Sequence, residues 1–336
     1  MNRYLVTKTV SYFDPTPWGD GVDLEDEKTY VDSRYGKGRK LLPGVTFLWY
    51  ELRFALHMLR LYLQNRYEAV SVGRYGAFFP LLARMLGLRA RVVMTDVEFR
   101  PQFRNRLFAQ AMRRCDAICV NTTFELEALS STCGVSRDKF HLVKLAFLPQ
   151  DLSETADRNF VLTGGVQGRD WATFAAAVEG LPYEVKVFAK NFNHKLPSNS
   201  KLNFVSRKEY YRALAAASCV VLPLLPEALR CTGTTTWTTA MALGKVVIAT
   251  GADRARDYIE HGVSGFVVDH GDAAGLRKTI QMVMEDAELR RRVGEAARLR
   301  AWQDCSPEVY RRKVLAILQG QALPAGRYES ELQRSA

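Results

Sequence analysis

The chain has 336 residues, 47% of them apolar and 25% charged, which is enough to build packed cores and excludes a wholly disordered or fibrous chain. At roughly 150 residues per domain, the length predicts two domains. Lysine and arginine number 47 against 36 acids, a net charge of +11, which favours anionic partners: nucleic acid, phosphorylated small molecules or an acidic membrane face.

Residues 1–17, MNRYLVTKTVSYFDPTP, hold no apolar run of signal-peptide length, so a cytoplasmic protein is expected. The stretch from Val45 to Gln64 is apolar but broken by Glu51, Arg53, His57 and Arg60. A membrane-spanning helix needs about 20 nearly uncharged residues, so this one is not expected to cross. From there, continuous apolar runs predict strands at Ala69–Val72, Arg91–Thr95, Asp116–Val120 and His141–Lys144, then Asn159–Thr163, Glu184–Phe188, Cys219–Leu222, Lys245–Thr250 and Gly265–Val268. Runs without alternation fit strands covered on both faces. Helical patterns fall between them at Ala77–Leu86, Asn105–Arg114, Trp171–Val178, Arg207–Ala217 and Ala273–Glu285. Such alternation predicts parallel, doubly wound α/β sheets.

A break is expected at Leu148–Ser153, where a proline and a polar stretch precede a fresh apolar strand. The domains are therefore set at 1–152 and 153–305, with a final helix at Pro307–Gln319 and a polar, mobile tail within 306–336. Between Glu51 and Arg114 stand twelve arginines, no lysine and four acids, so much of the excess charge sits in one stretch. It reads either as a phosphate-seeking surface or as ordinary solvated helix faces. Cys115, Cys119, Cys133, Cys219, Cys231 and Cys305 form no CxxC pair, so reduced thiols and no zinc site are expected. None of the five histidines has a partner at metal-ligand spacing.

Two turns carry candidate chemistry. Between the strands CVVLP and KVVIAT, Thr234–Leu243 can form a helix opened by Gly233 and three threonines. A helix start offers N–H groups and positive dipole to a phosphate, although an ordinary threonine-capped helix reads the same way. The second turn, Thr163-Gly164-Gly165-Val166-Gln167-Gly168-Arg169-Asp170, follows the first strand of the second domain and opens a helix. Ligands in doubly wound sheets bind at such places. It matches neither GxGxxG nor a P-loop, which disfavours a dehydrogenase or a P-loop NTPase. Arg169 stands where a guanidinium can clamp a diphosphate, and Lys190 closes the next strand.

The order of these strings, TGG…GRD, CVVLPLLPE, CTGTTTWTTAMALGKVVIAT and RDYIEHGVSGFVV, resembles the donor domain of GT-B glycosyltransferases of the retaining group 1/family 4 type. The resemblance covers about 155–302, and SPEVYRRKVLAIL is similar to the helix that crosses back to the N-terminal domain in such enzymes. It implies two Rossmann-like domains facing a cleft, with the donor nucleotide-diphosphate sugar held by the C-terminal one and the acceptor by the N-terminal one. No metal and no further cofactor is implied, and the donor is expected to be UDP- or GDP-linked. Carried across residue by residue, the phosphate-binding helix start falls on Gly233, Thr234, Thr235 and Thr236, and the glycine turn on Gly164 and Gly165 with Arg169. Ser206 and Arg207 fall near the base-binding turn, and Asp257 on an acidic position that reads equally as structural.

One departure stands out. The family commonly has Glu-x7-Glu with the second acid on the ribose, where this chain has Cys231 and Thr239; Glu227 is the substitute considered, against an ordinary loop acid. In the N-terminal half, Asp96 and Glu98 follow the strand ARVVMT, where either can orient or deprotonate an acceptor hydroxyl, while a helix cap is the other reading of Asp96. Arg74 and Tyr75 are further cleft candidates, and Pro17–Gly21 corresponds weakly to the family's N-terminal glycine loop.

The expected partners are thus a nucleotide sugar, a glycan or lipid-linked acceptor, and an anionic membrane face touched through 51–114. A GT-B sugar-nucleotide epimerase and a degenerate, non-catalytic partner protein are the rivals. Nucleic acid is not expected, because no stretch interleaves aromatic and basic residues in a recognisable motif.

Overall fold

The computed structural model describes residues 3–8, 18, 20–26, 43–73, 78–95, 105–147, 157–165, 168–189, 192–198, 200–202, 206–226 and 232–323. Asp96, Glu98, Lys190, Glu227, Arg74, Tyr75, Cys231 and the tail beyond 323 lie outside the described residues, as do Pro17 and Gly19. The chain divides into two compact units, Met1–Val143 with Tyr310–Ala336, and Lys144–Val309. The division falls ahead of the Leu148–Ser153 stretch because residues 144–147 are bonded into the second unit. Lys144 pairs with Asp304 at 2.8 Å, the Tyr258 hydroxyl accepts from Leu145 N at 3.0 Å, and Phe147 N donates to Cys305 O at 2.9 Å.

The first unit holds a six-stranded sheet in the order β2-β1-β3-β4-β5-β6, all parallel. Its strands are β1 (Tyr4–Lys8), β2 (Val22–Asp26), β3 (Ala69–Val72), β4 (Arg91–Met94), β5 (Ala117–Val120) and β6 (Phe140–Leu142). Its helices are α1 (Pro43–Asn65), α2 (Phe79–Met85), α3 (Asn105–Arg114) and α4 (Thr123–Cys133). The strands β1 and β2 were not among those expected. The buried run of β1 is only Tyr4 to Thr7, and β2 is an edge strand whose Val22 and Leu24 face the core while Asp23 and Glu25 alternate with them. Several arginines of the 51–114 stretch are internal staples. Arg84 pairs with Asp116 at 2.5 Å, Arg113 gives two bonds to Cys133 O, and Arg91 Nε donates to Ile317 O at 2.9 Å.

The second unit holds a six-stranded sheet in the order β12-β11-β10-β7-β8-β9, again parallel. The strands are β7 (Phe160–Gly164), β8 (Glu184–Phe188), β9 (Lys201–Leu202), β10 (Cys219–Leu222), β11 (Val246–Thr250) and β12 (Phe266–Val268). The helices are α5 (Trp171–Val178), α6 (Arg207–Ala216), α7 (Thr234–Ala242), α8 (Ala252–Ala255), α9 (Ala273–Glu285), α10 (Ala287–Cys305) and α11 (Pro307–Leu318), the last running into the first unit. Alternate residues of one strand feed opposite cores: Val220, Leu222, Val247 and Ala249 pack on one side, and Cys219, Val221, Val246 and Ile248 on the other. Both faces are covered, which is why these strands read as unbroken apolar runs. The five described cysteines are buried thiols.

The connection order places β7 between β8, which follows it, and β10, which begins the other half of the sheet. This is the Rossmann order, and the crevice at the carboxyl ends of β7 and β10 is its switch point. Helix α7, which starts there, is braced by α10: the Trp302 indole donates to Ala242 O at 3.3 Å, and a Cβ on Gly294 would stand 2.2 Å from Gly244 O. Gly294→Ala is therefore expected to lower stability by about 1–3 kcal/mol through overpacking against backbone, read as a lowered urea midpoint of the second unit.

Candidate functional site

Strand β7 ends on Gly164, where a side chain has no room. A Cβ there would lie 2.8 Å from Tyr210 Cε2 and 3.1 Å from Phe188 O. Gly165 follows with φ of 134°, a conformation in which L side chains are strained. The turn lets Arg169 fold back so that its Nε donates to Gly164 O at 3.0 Å. Its guanidinium then lies against Gly165, whose Cβ would come within 2.5 Å of Nη2. The same guanidinium reaches the start of α7, since a Cβ on Gly233 would be 3.1 Å from that nitrogen. Two glycine turns far apart in sequence thus enclose one arginine, which is only 9% exposed.

Helix α7 begins at Gly233, which adopts a left-handed φ of 89° and has no side chain with which to cap it. Its carbonyl accepts from Thr236 N at 2.9 Å and Trp237 N at 3.1 Å. Thr235 and Thr236 are half-buried in the first turn, whereas Thr234 is buried. The positive end of the helix and the Arg169 cation therefore add at one place, which makes it a candidate seat for an anion by charge and by donors.

The loop after β10 is clamped to this seat. Gly168 and Asp170 pair with Leu225 and Pro223 through 3.1 and 2.8 Å backbone bonds, with Arg169 bridging to Leu224. Thr250 Oγ1 accepts from Leu224 N at 2.7 Å, and His270 Nδ1 meets Leu224 O at 2.9 Å. The buried Arg254 donates to Pro226 O at 2.7 Å and Leu225 O at 3.3 Å. Thr250, Arg254 and His270 were not among the expected residues. Each holds the loop by its backbone, a role with no local sequence signature.

Tyr210 is the other residue that sequence reasoning missed. Its ring stands over Gly164 and edge-on to Phe188, with centroids 5.6 Å apart. Its hydroxyl is buried beside Thr236 and Arg169. Burial raises its pKa, against the opposing influence of Thr236 and Arg169 beside it, so the group stays a neutral donor.

The other expected residues fall as follows. Ser206 caps α6 in a reciprocal box: its Oγ accepts from Glu209 N at 3.3 Å and donates to Glu209 Oε2 at 2.6 Å. That hydroxyl is thus occupied by the helix it starts. Arg207 opens the same helix, its side chain outside the described residues. Thr239 lies fully enclosed within α7, and Asp257 is half-buried beyond α8. Among the described residues no three His, Cys, Asp or Glu side chains converge as a metal site would require.

The geometry corresponds to a known class. Residues 151–300 match the family model of glycosyl transferases group 1. With its two parallel-sheet Rossmann-like units the chain has the GT-B fold, and residues 151–300 carry a glycosyl transferases group 1 domain.

Solved structures place the fold more closely. Sucrose-phosphate synthase from Thermosynechococcus elongatus is similar with a TM-score of 0.70 at 12% identity, over 95% of this chain and 99% of that one. A glycosyltransferase from Rickettsia africae gives 0.69 at 14% identity, over 95% and 99%. Anabaena Alr3699/HepE, solved with UDP and glucose, gives 0.68 at 15% identity, over 95% and 100%. No curated protein sequence matches the chain.

The packing around Arg169 predicts a measurable contrast between two glycines. Gly165→Ala combines backbone strain with a collision on a buried guanidinium, and should cost about 2–4 kcal/mol. Gly262→Ala has φ of 77° and nothing within 4 Å, so it bears the strain alone and should cost about 1 kcal/mol. Urea unfolding of the two variants side by side checks the difference.

Proposed function

We propose that the protein transfers a sugar from a UDP- or GDP-linked nucleotide-diphosphate donor to a hydroxyl of a glycan, polysaccharide or lipid-linked acceptor. In this reading the anomeric configuration is retained, and neither metal nor further cofactor is needed. The observation that carries it is Arg169, enclosed by Gly165 and Gly233 at the start of α7. A cation and a helix N-terminus at one point suit a diphosphate in both its bound and its departing form. HepE, which has the same fold, was solved with UDP and glucose.

In this mechanism the bond between the anomeric carbon and the phosphate oxygen breaks, and a bond to the acceptor oxygen forms. Charge building on the leaving diphosphate is met by Arg169 and the α7 N–H groups, with Thr235, Thr236 and Lys190 as further donors. The Tyr210 hydroxyl, buried beside Thr236 and Arg169, would add another. The acceptor proton passes to a carboxylate, Asp96 or Glu98, or to the departing diphosphate. Glu227 serves the ribose in place of the absent pair, with Ser206 and Arg207 near the base through their backbone turn. The enzyme works on the cytoplasmic side, with its arginine-rich N-terminal region against an anionic membrane.

Calorimetric titration with UDP, GDP, ADP, CMP and dTDP, with and without EDTA, tests the reading. One diphosphate should bind saturably, and EDTA should leave its affinity unchanged. Arg169→Ala should weaken it about 10–100-fold, as expected for a lost charge-assisted contact. Thr235→Val and Tyr210→Phe should each cost about fivefold. Failure of every nucleotide to bind would overturn the enzyme reading in favour of a non-catalytic partner. Release of nucleotide with an epimerised sugar and no acceptor would instead identify an epimerase.

A further inference from the structure

Helix α1 presents two unlike faces. Phe54, Ala55, Met58 and Tyr62 are buried against the first unit. On the other side Trp49, Leu52, Leu56 and Leu63 are 44%, 41%, 47% and 49% exposed, an unusual concentration of large apolar side chains in water. At 3.6 residues per turn these four, with the exposed Arg53 and Arg60, fall within an arc of about 100° and run about 21 Å along the helix. Arg53 lies over the Trp49 ring, 3.8 Å from its centroid, and Arg60 continues the same flank two turns on. The helix has a single acid, Glu51, which is buried on the opposite side.

We infer that this face of α1 lies flat in the headgroup region of an anionic bilayer, its leucines and Trp49 entering the acyl boundary and its two arginines meeting lipid phosphates. Leu, Trp and Arg on one arc, with no exposed acid, is the make-up of an in-plane interfacial helix. No helix among the described residues is long and apolar enough to cross a membrane, and Arg53 and Arg60 keep this one at the surface. A second copy of the chain is the poorer occupant, because a two-fold contact would set the same arginines against each other. The inference deepens the membrane contact proposed above and narrows it. Arg84, Arg91 and Arg113 are bonded internally, so these three are not counted in that surface. It does not depend on the donor chemistry.

Co-sedimentation with phosphatidylcholine vesicles, with and without phosphatidylglycerol, tests this on the full chain. The protein should partition onto the anionic vesicles, and rising salt should weaken that partition without removing it. Arg53→Gln with Arg60→Gln should lower that partition about 25-fold, at about fivefold for each arginine near the surface. Leu52→Ser with Leu56→Ser should abolish it at high salt, where only apolar insertion remains. All four positions are exposed, so thermal melts and nucleotide affinities of the variants should match the parent chain. Equal binding to neutral and anionic vesicles, or unchanged binding in both double variants, would overturn the inference. So would a concentration-dependent dimer that Leu52→Ser with Leu56→Ser dissolves while vesicle binding is absent. Loss of nucleotide binding in the parent chain with vesicle binding intact would instead count against the donor reading alone.

Discussion

The placement of one guanidinium governs the second unit. A buried cation is costly unless carbonyls and anions surround it, and Arg169 is held with its Nε on the Gly164 carbonyl and its far nitrogens against two glycine backbones. That arrangement needs β7 and β10 to be neighbours, so that the loops leaving them meet, and it favours glycine at 165, where a Cβ would meet the guanidinium at 2.5 Å, and at 233, where the backbone is left-handed and a Cβ would stand 3.1 Å from it. The clamp by Thr250, Arg254 and His270 then sets the loop after β10 at a fixed distance from the arginine. The candidate site is a consequence of sheet order and close backbone approach more than of any single side chain.

The same economy of charge runs through the first unit in a different form. Some of its arginines bond to carbonyls or to Asp116 and stitch helices and the chain end to the sheet. Others remain on the outer face of α1, interleaved with leucines. Local density of arginine is therefore a poor measure of surface potential, since a guanidinium with five donors is as useful for capping backbone as for meeting phosphate.

How far the chain could be read from its residues depended on whether the signal was local. Ala69–Val72, Glu184–Phe188 and Cys219–Leu222 were expected and found at the same bounds, as were the helices Asn105–Arg114, Trp171–Val178 and Ala273–Glu285. Those segments have continuous apolar runs or strong helical periodicity. The strands Tyr4–Lys8 and Val22–Asp26 escaped notice because one buries a very short run and the other sits at an edge with acids along it. Ser206 was marked for a ligand by resemblance, yet the Ser-x-x-Glu spacing also spells a capping box, and the hydroxyl is engaged there. Tyr210 offered no signal at all. Its position depends on the absent side chain of Gly164 and on the angle at which α6 meets the sheet.

By itself the sequence determined the fold class, the two-part organisation, the glycine turns and the arginine between them. These follow from composition, period and backbone rules, which act over a few residues. Tertiary structure alone decided that the turns at 164–165 and 233 share one guanidinium, which loop is clamped and by what, and which arginines are staples and which face water. Those outcomes depend on which strands become neighbours and which atoms burial leaves without solvent, and neither is encoded within a window of sequence.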